Sequence, residues 1–282
     1  MDGGRLPMGW SRIRVDGRPA AYGHAGSGPV VVFLHGWALS NRTYRRSLAR
    51  LAQQGFCVLA PSLPGFGGTA ALPDLQFSLA GYADWVSEFL RATRIREPVT
   101  LIGHSFGGAV AIKTAHAHPD RVARLVLVNS IGGATWNEDG ERLRLMSERP
   151  VWDWGVHLSR HALSPGGLLR VLPVIAADAV PNAMRRPMTL WHVGRLAREA
   201  ALATELEALK ARRLPVVILW GREDTVVPEV CARSLIDALH DPHVVTVPGD
   251  HAWLIREPRR FVEELTNVIG TGQGPRASGS AA

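Results

Sequence analysis

Six short apolar runs recur along this chain: Val30–Leu34, Cys57–Ala60, Val99–Ile102, Leu125–Val128, Val216–Trp220 and His243–Val247. Most are continuous rather than alternating, as expected of strands covered on both faces. Between them, apolar residues recur at helical spacing. Tyr44, Leu48, Leu51 and Ala52 form one stripe, with Asn41 as its cap and Gly55 as its stop. Leu79, Ala83, Val86 and Leu90 form another, capped by Ser78, and further helices are predicted from Ser105 to about His118 and over Val230–Leu239. Strands alternating with helices in this way predict an α/β fold, a parallel sheet with helices on both faces. Ahead of the first run, Arg12–Val15 and Ala20–His24 flank Asp16-Gly17, a dipeptide suited to a tight antiparallel hairpin.

After Ile131 the alternation stops. From Gly133 to about Leu214 there are no clear strands; there are prolines at 165, 173 and 181, several tryptophans, and a stripe of Leu202, Leu206 and Leu209. A mostly helical insert between two sheet strands reads as a cap or lid. The expected organisation is a core of residues 12–132 and 215–268, a cap of 133–214, and flexible termini at 1–11 and 270–282, the last a low-complexity Gly/Ser/Ala tail.

Composition narrows the class. With 46% hydrophobic and 20% charged residues, the 282-residue chain can bury a large core. Its net charge is +7, almost all of the positive charge being arginine, since Lys113 and Lys210 are the only lysines. The insert holds 12 basic and 9 acidic residues, so no dense basic patch or nucleic-acid signature emerges. Cys57 and Cys231 make no disulfide framework, the first residues lack a signal-peptide core, and the apolar stretch Leu168–Val180 is broken by Arg170, Pro173 and Asp178. The expectation is a cytoplasmic protein without a membrane span. His116 and His118 share no helix face and make a poor metal pair, and no cofactor is expected.

The chemistry starts at Gly103-His104-Ser105-Phe106-Gly107-Gly108, directly after an apolar run and directly before a helix. By itself the hexapeptide is also what an ordinary glycine-rich turn looks like. In strand-turn-helix context it reads as a nucleophile elbow with Ser105 at its tip. A serine hydroxyl needs a base, an orienting acid and oxyanion donors. Asp224 lies just past Val216–Trp220 and His251 just past His243–Val247, so all three groups fall at carboxyl ends of strands, where α/β sites gather. Glu223 is a rival acid, and Asp250 is better suited to shaping the turn. His104 reads as a packing residue of the elbow. The expected oxyanion donors are the backbone N–H groups of Phe106 and of Trp37 in His35-Gly36-Trp37. Trp136, Trp152, Trp154, Trp191 and Leu168–Val180 offer apolar lining for an acyl or aryl group, or simply glue the cap to the core.

His35-Gly36-Trp37, Pro64-Gly65-Phe66-Gly67, Gly103 to Gly108, Gly221 to Asp224 and Gly249 to His251 together resemble the α/β-hydrolase superfamily, over roughly residues 12–268. The resemblance implies an eight-stranded, mostly parallel sheet with an N-terminal hairpin and a helical cap. It also implies ester hydrolysis by a Ser105–His251–Asp224 triad on a small to medium apolar substrate. Ser62 departs from the pattern, since many relatives carry aspartate there. A serine nucleophile argues against the branches that use aspartate. His104 departs from the asparagine that carbon–carbon bond hydrolases of ring-fission products usually have there and counts against that branch, whose activity on the same triad is the alternative. The His-Gly-Trp loop and arginine-bearing cap are similar to those of pimeloyl-carrier-protein methyl ester esterases, whose acidic carrier would suit a basic chain. A hydrolase-like ligand receptor that keeps the triad is the non-enzymatic alternative.

Overall fold

The computed structural model describes residues 7–139, 142–150, 153, 157, 171–239 and 242–270. One eight-stranded sheet organises them. Its strands are β1 (Gly9–Val15), β2 (Arg18–Ala25), β3 (Val30–Leu34), β4 (Cys57–Pro61), β5 (Val99–His104), β6 (Val122–Val128), β9 (Val216–Gly221) and β10 (His243–Val247). The order across the sheet is β1-β2-β4-β3-β5-β6-β9-β10. The β1–β2 and β2–β4 pairings are antiparallel; from β4 to β10 every further pairing across the sheet is parallel. The opening hairpin turns at Asp16 (φ 48°) and Gly17 (φ 72°), the pair of positive φ values that a two-residue turn between twisted strands requires. It begins at Gly9, three residues before the sequence expectation, so part of the expected flexible N-terminus is sheet.

Successive residues of each parallel strand point to opposite faces, and the buried side chains sort accordingly into two clusters. Val32, Leu34, Leu101, Leu125, Leu127 and Ile218 face helices α2 (Leu79–Ala92), α3 (Phe106–Ala117), α6 (Ala203–Ala211) and α7 (Glu229–Leu239). Val31, Phe33, Ile102, Val126, Val217 and Leu219 face α1 (Arg45–Ala52), the short α8 (Trp253–Arg256) and α9 (Pro258–Ile269). Continuous apolar strand runs are the sequence trace of this two-sided cover.

Local chemistry sets the helix ends. Ser78 caps α2 by accepting from the Gly81 N–H at 3.0 Å. Asn41 does not cap α1. A 3-10 turn, Asn41–Tyr44, precedes that helix; Ser40 caps the turn, and the Asn41 amide donates to the Ala60 carbonyl instead. In the insert, an antiparallel hairpin of β7 (Thr135–Asp139) and β8 (Arg142–Leu145) stands where no strand was expected. Asn137, Glu138 and Asp139 are poor strand formers, which hid it. Helices α4 (Leu172–Arg185) and α5 (Pro187–Arg198) follow. The Leu202–Leu206–Leu209 stripe, placed with the insert on sequence grounds, is buried in the same cluster as α3. Among the described residues no helix is long and apolar enough to cross a membrane.

The first turn of α3 lies so close under the end of β3 that a Cβ on Gly107 would stand 2.3 Å from the Leu34 carbonyl oxygen and 2.6 Å from that of His35. Neither backbone oxygen can move without disturbing the sheet. Gly107→Ala should therefore destabilise by about 1–3 kcal/mol through overpacking, although alanine is the better helix former by ~1 kcal/mol. Urea unfolding of the purified variant checks this, and equal or higher stability would refute the close approach.

Candidate active site

β5 ends at His104, and the next residue turns the chain into α3 with φ 54° and ψ −120° at Ser105. That conformation is sparsely populated for a residue with a Cβ. It is held by the Ser105 N–H donating to the Val128 carbonyl at 3.1 Å and by the Gly108 N–H donating to the Ser105 carbonyl at 2.9 Å. The serine side chain is thereby lifted off the strand tip into a cavity.

The loops after β9 and β10 bring Asp224 and His251 together. His251 Nδ1 lies 2.8 Å from Asp224 Oδ2. The other carboxylate oxygen, Oδ1, accepts from the Val226 and Val227 N–H groups at 2.8 and 2.9 Å, so the acid cannot rotate away from the imidazole. Asn129, a residue that the sequence reasoning missed, donates its amide to Oδ2 as well. Its own carbonyl oxygen accepts from the Trp253 indole at 2.8 Å and the Gly221 N–H at 3.3 Å, which fixes which end of the amide faces the acid. Its signal was available: Asn129 follows a buried strand at the same carboxyl edge. Glu223 accepts from the Gly249 N–H, and Asp250 accepts from the Ala252 N–H at 3.0 Å and pairs with Arg256, so both rival carboxylates are engaged elsewhere.

After β3 the chain passes beside the serine. A Cβ on Gly36 would lie 3.3 Å from Ser105 Cβ and 3.1 Å from His104 Nδ1, a contact only glycine makes without displacement. The buried His35 fixes this loop. The Leu63 N–H donates to His35 Nε2 at 2.8 Å, so the ring proton sits on Nδ1 and is donated to the Gly36 carbonyl at 2.8 Å. The Gly36–Trp37 peptide bond is trans, so the Trp37 N–H points opposite to that carbonyl, away from His35. Burial pushes the His35 imidazole down to about 4. His104 is buried too. Its Nε2 lies 3.0 Å from the His251 carbonyl oxygen, and its Nδ1 lies 2.8 Å from the Tyr44 hydroxyl, which itself accepts from the Gly36 N–H at 3.3 Å. Burial and the nearby His251 hold its pKa well below the usual histidine value.

Ser105, His251, Trp37 and Phe106 all line one cavity of about 110 Å³. Beyond His104, its remaining wall is apolar, from Leu39, Ile131, Ala197, Val226 and Val227 together with Ile175 and Ala179 of α4. The expected tryptophan lining is not what the described residues provide. Trp191 is half exposed and outside the wall, because it occupies the outer side of α5. Trp136 lies against the Arg149 guanidinium, 5.1 Å from ring centre to carbon, and is not in the wall either. Trp152 and Trp154 lie outside the described residues. Among the described residues, no group of three or more His, Cys, Asp or Glu side chains is placed to hold a metal ion.

The model of the alpha/beta hydrolase family matches residues 31–264. A pimeloyl-[acyl-carrier protein] methyl ester esterase of Chromobacterium violaceum is 29% identical over 87% of this chain and 96% of its own. A 2-hydroxy-6-oxo-6-(2'-aminophenyl)hexa-2,4-dienoic acid hydrolase of Metapseudomonas resinovorans is 24% identical over 91% of this chain and 89% of its own. Among solved structures, that of a putative lipase from Acinetobacter baumannii superposes with a TM-score of 0.71 at 21% identity, over 93% of this chain and 90% of that one.

The depressed His35 pKa sets a pH dependence of stability. The unfolded chain protonates this histidine near 6.5 while the folded chain resists until about 4. The contribution is therefore complete above pH 6.5 and is lost as pH falls toward 4. His35→Gln, which keeps an acceptor for the Leu63 N–H but carries no titrating ring, should show a shallower fall of Tm between those pH values than the wild type. Parallel Tm–pH curves would show that His35 does not titrate in this way.

Proposed function

Because the chain belongs to the alpha/beta hydrolase family, we propose that it is a serine hydrolase cleaving carboxylic esters through an acyl-enzyme. The observation that carries this reading is the shared cavity: Ser105 on its strained turn and His251, already paired with Asp224, open onto the same apolar space.

The Ser105 Oγ attacks the ester carbonyl carbon while His251 Nε2 takes the hydroxyl proton. His251 Nδ1–H donates to Asp224, which selects the tautomer with a free Nε2 and stabilises the imidazolium that forms. The carbonyl electron pair moves to oxygen, where the Trp37 and Phe106 N–H groups receive the negative charge. The tetrahedral species collapses, the alkoxide leaves with the proton from His251, and water repeats the sequence on the acyl-enzyme. The segment 133–214 acts as a cap, with the α4 face bearing Ile175 and Ala179 as the acyl wall.

The cavity volume favours a small acyl group. A cavity of about 110 Å³ is somewhat below the ~150 Å³ that accommodates benzene. With p-nitrophenyl esters, kcat/KM should peak at roughly four to six acyl carbons and fall beyond; a flat profile would argue against a shaped acyl pocket. Two narrower readings rest on the relatives' names: an ester on an acidic carrier protein, which the net charge of +7 would attract, and carbon–carbon bond hydrolysis. Faster turnover of a vinylogous diketone than of any simple ester would replace the ester reading with the second.

Ser105→Ala should abolish labelling by a fluorophosphonate and lower ester turnover by at least ~10³-fold, with the circular dichroism spectrum retained. Persistent labelling in the folded variant would remove Ser105 as the nucleophile.

A further inference from the structure

The loop that follows β3 has a second turn. Ala38 adopts φ 64°, in the left-handed region that costs a residue with a Cβ about 1 kcal/mol or more. No glycine relieves that turn, so something else must hold it. The Leu39 N–H closes it by donating to the Gly36 carbonyl at 3.4 Å, and α4 braces it. The Asn182 amide donates to the Ala38 carbonyl at 2.9 Å, and its oxygen accepts from the Gly67 N–H at 3.2 Å. The Asp178 carboxylate accepts from the Ser40 N–H and the Thr43 hydroxyl, each at 2.7 Å, and from the Ser40 hydroxyl at 2.8 Å. Ser40 and Thr43 are buried, and Asp178 spans the start of the 3-10 turn that leads out of the loop. From α5, the Leu190 carbonyl accepts from the Trp37 indole at 2.9 Å.

Ile175, Asp178, Ala179 and Asn182 stand at i, i+3, i+4 and i+7, so they share one stripe of the helix. Two of the four face the acyl cavity, and the other two grip the loop that carries Trp37. We propose that Asp178 and Asn182 are positioning residues for the oxyanion hole: α4 holds the Trp37 N–H in register with Ser105 through the same face that recognises the acyl group. This rests on the esterase reading above, in which Trp37 supplies an oxyanion donor. An acyl group that fits against Ile175 and Ala179 keeps the helix, and hence the donor, in place. Acyl fit then appears in kcat and not only in KM.

The test compares Asp178→Ala and Asn182→Ala with the wild type on a p-nitrophenyl ester of the preferred length. Two inhibitors of the same acyl length separate positioning from binding. A trifluoromethyl ketone adds to the serine and places an oxyanion in the hole, whereas the corresponding carboxamide binds without adduct. The expected result is kcat lowered about ten- to a hundredfold, because the donor is displaced rather than removed, with KM within about twofold. The ketone Ki should weaken in proportion to kcat and the carboxamide Ki should stay unchanged. If Asp178→Ala does not fold, Asn182→Ala carries the test, since it removes only the Ala38 and Gly67 contacts. Unchanged kcat and ketone affinity in folded variants would overturn the proposal alone, as would equal weakening of ketone and carboxamide, which marks a loosened wall. A wild-type protein with neither ester turnover nor a ketone adduct would overturn the esterase reading, and this proposal with it.

Discussion

The backbone turn at Ser105 is the constraint around which the site is arranged. A residue at φ 54°, ψ −120° costs about 1–3 kcal/mol and persists only where its surroundings over-determine it. Here β6 receives its N–H, α3 begins on its carbonyl, and the tight packing of Gly107 under β3 leaves α3 no other seat. Once that turn is fixed, sheet order does the rest. The strands β3, β5, β6, β9 and β10 lie side by side and run parallel. Their carboxyl ends present, in the same order, the His35-Gly36-Trp37 loop, Ser105, Asn129, Asp224 and His251. Residues up to 216 positions apart in sequence, from His35 to His251, become a single row because each follows the end of a neighbouring strand.

Three histidines stand in this row with different work. His35 and His104 are buried, and burial holds both neutral across the range in which a free histidine would charge. Their partners set their tautomers. A backbone N–H at His35 Nε2 forces the proton to Nδ1, and a backbone carbonyl at His104 Nε2 requires a proton there. His104 then accepts from Tyr44, and Tyr44 accepts from Gly36, so one chain of hydrogen bonds joins the loop after β3 to the carbonyl of His251. Neutrality matters because the ring centres of His104 and His251 are only 4.7 Å apart. A charged His104 would oppose the imidazolium that the proposed mechanism forms at His251.

How much of this the chain discloses in one dimension depends on what each feature rests upon. The parallel sheet was legible because two-sided burial leaves continuous apolar runs, and the elbow because close approach demands glycine at Gly103, Gly107 and Gly108. The loops holding Asp224 and His251 were legible because each directly follows a strand. The partners of Asn129 and Tyr44 were not, because they lie far away in sequence, at Asp224 and His104; the Ser40 cap, whose partner is the Arg42 N–H two residues on, was passed over for Asn41. The cavity wall was legible in part: the Leu168–Val180 stretch supplies Ile175 and Ala179, whereas Trp136 and Trp191 lie outside the wall. Tryptophan advertises a pocket by size, yet size alone does not say which side of an element a residue takes, and Trp191 is exposed.

The two strained turns of the site are secured by different parts of the molecule. Ser105 is held by β6, by α3 and by the Ile131 N–H just past β6, which donates to its carbonyl at 3.4 Å. Ala38 is held by side chains of α4, which contributes no fully buried residue of its own. Local stability follows buried apolar contact, so α4 is the element that opens at lower free energy. The Ser105 turn therefore does not depend on α4, whereas the Ala38 turn loses its Asn182 contact when α4 is unseated. In the proposed mechanism that division separates roles: the serine turn needs no substrate to form, and the weaker element is the one that would meet the acyl group.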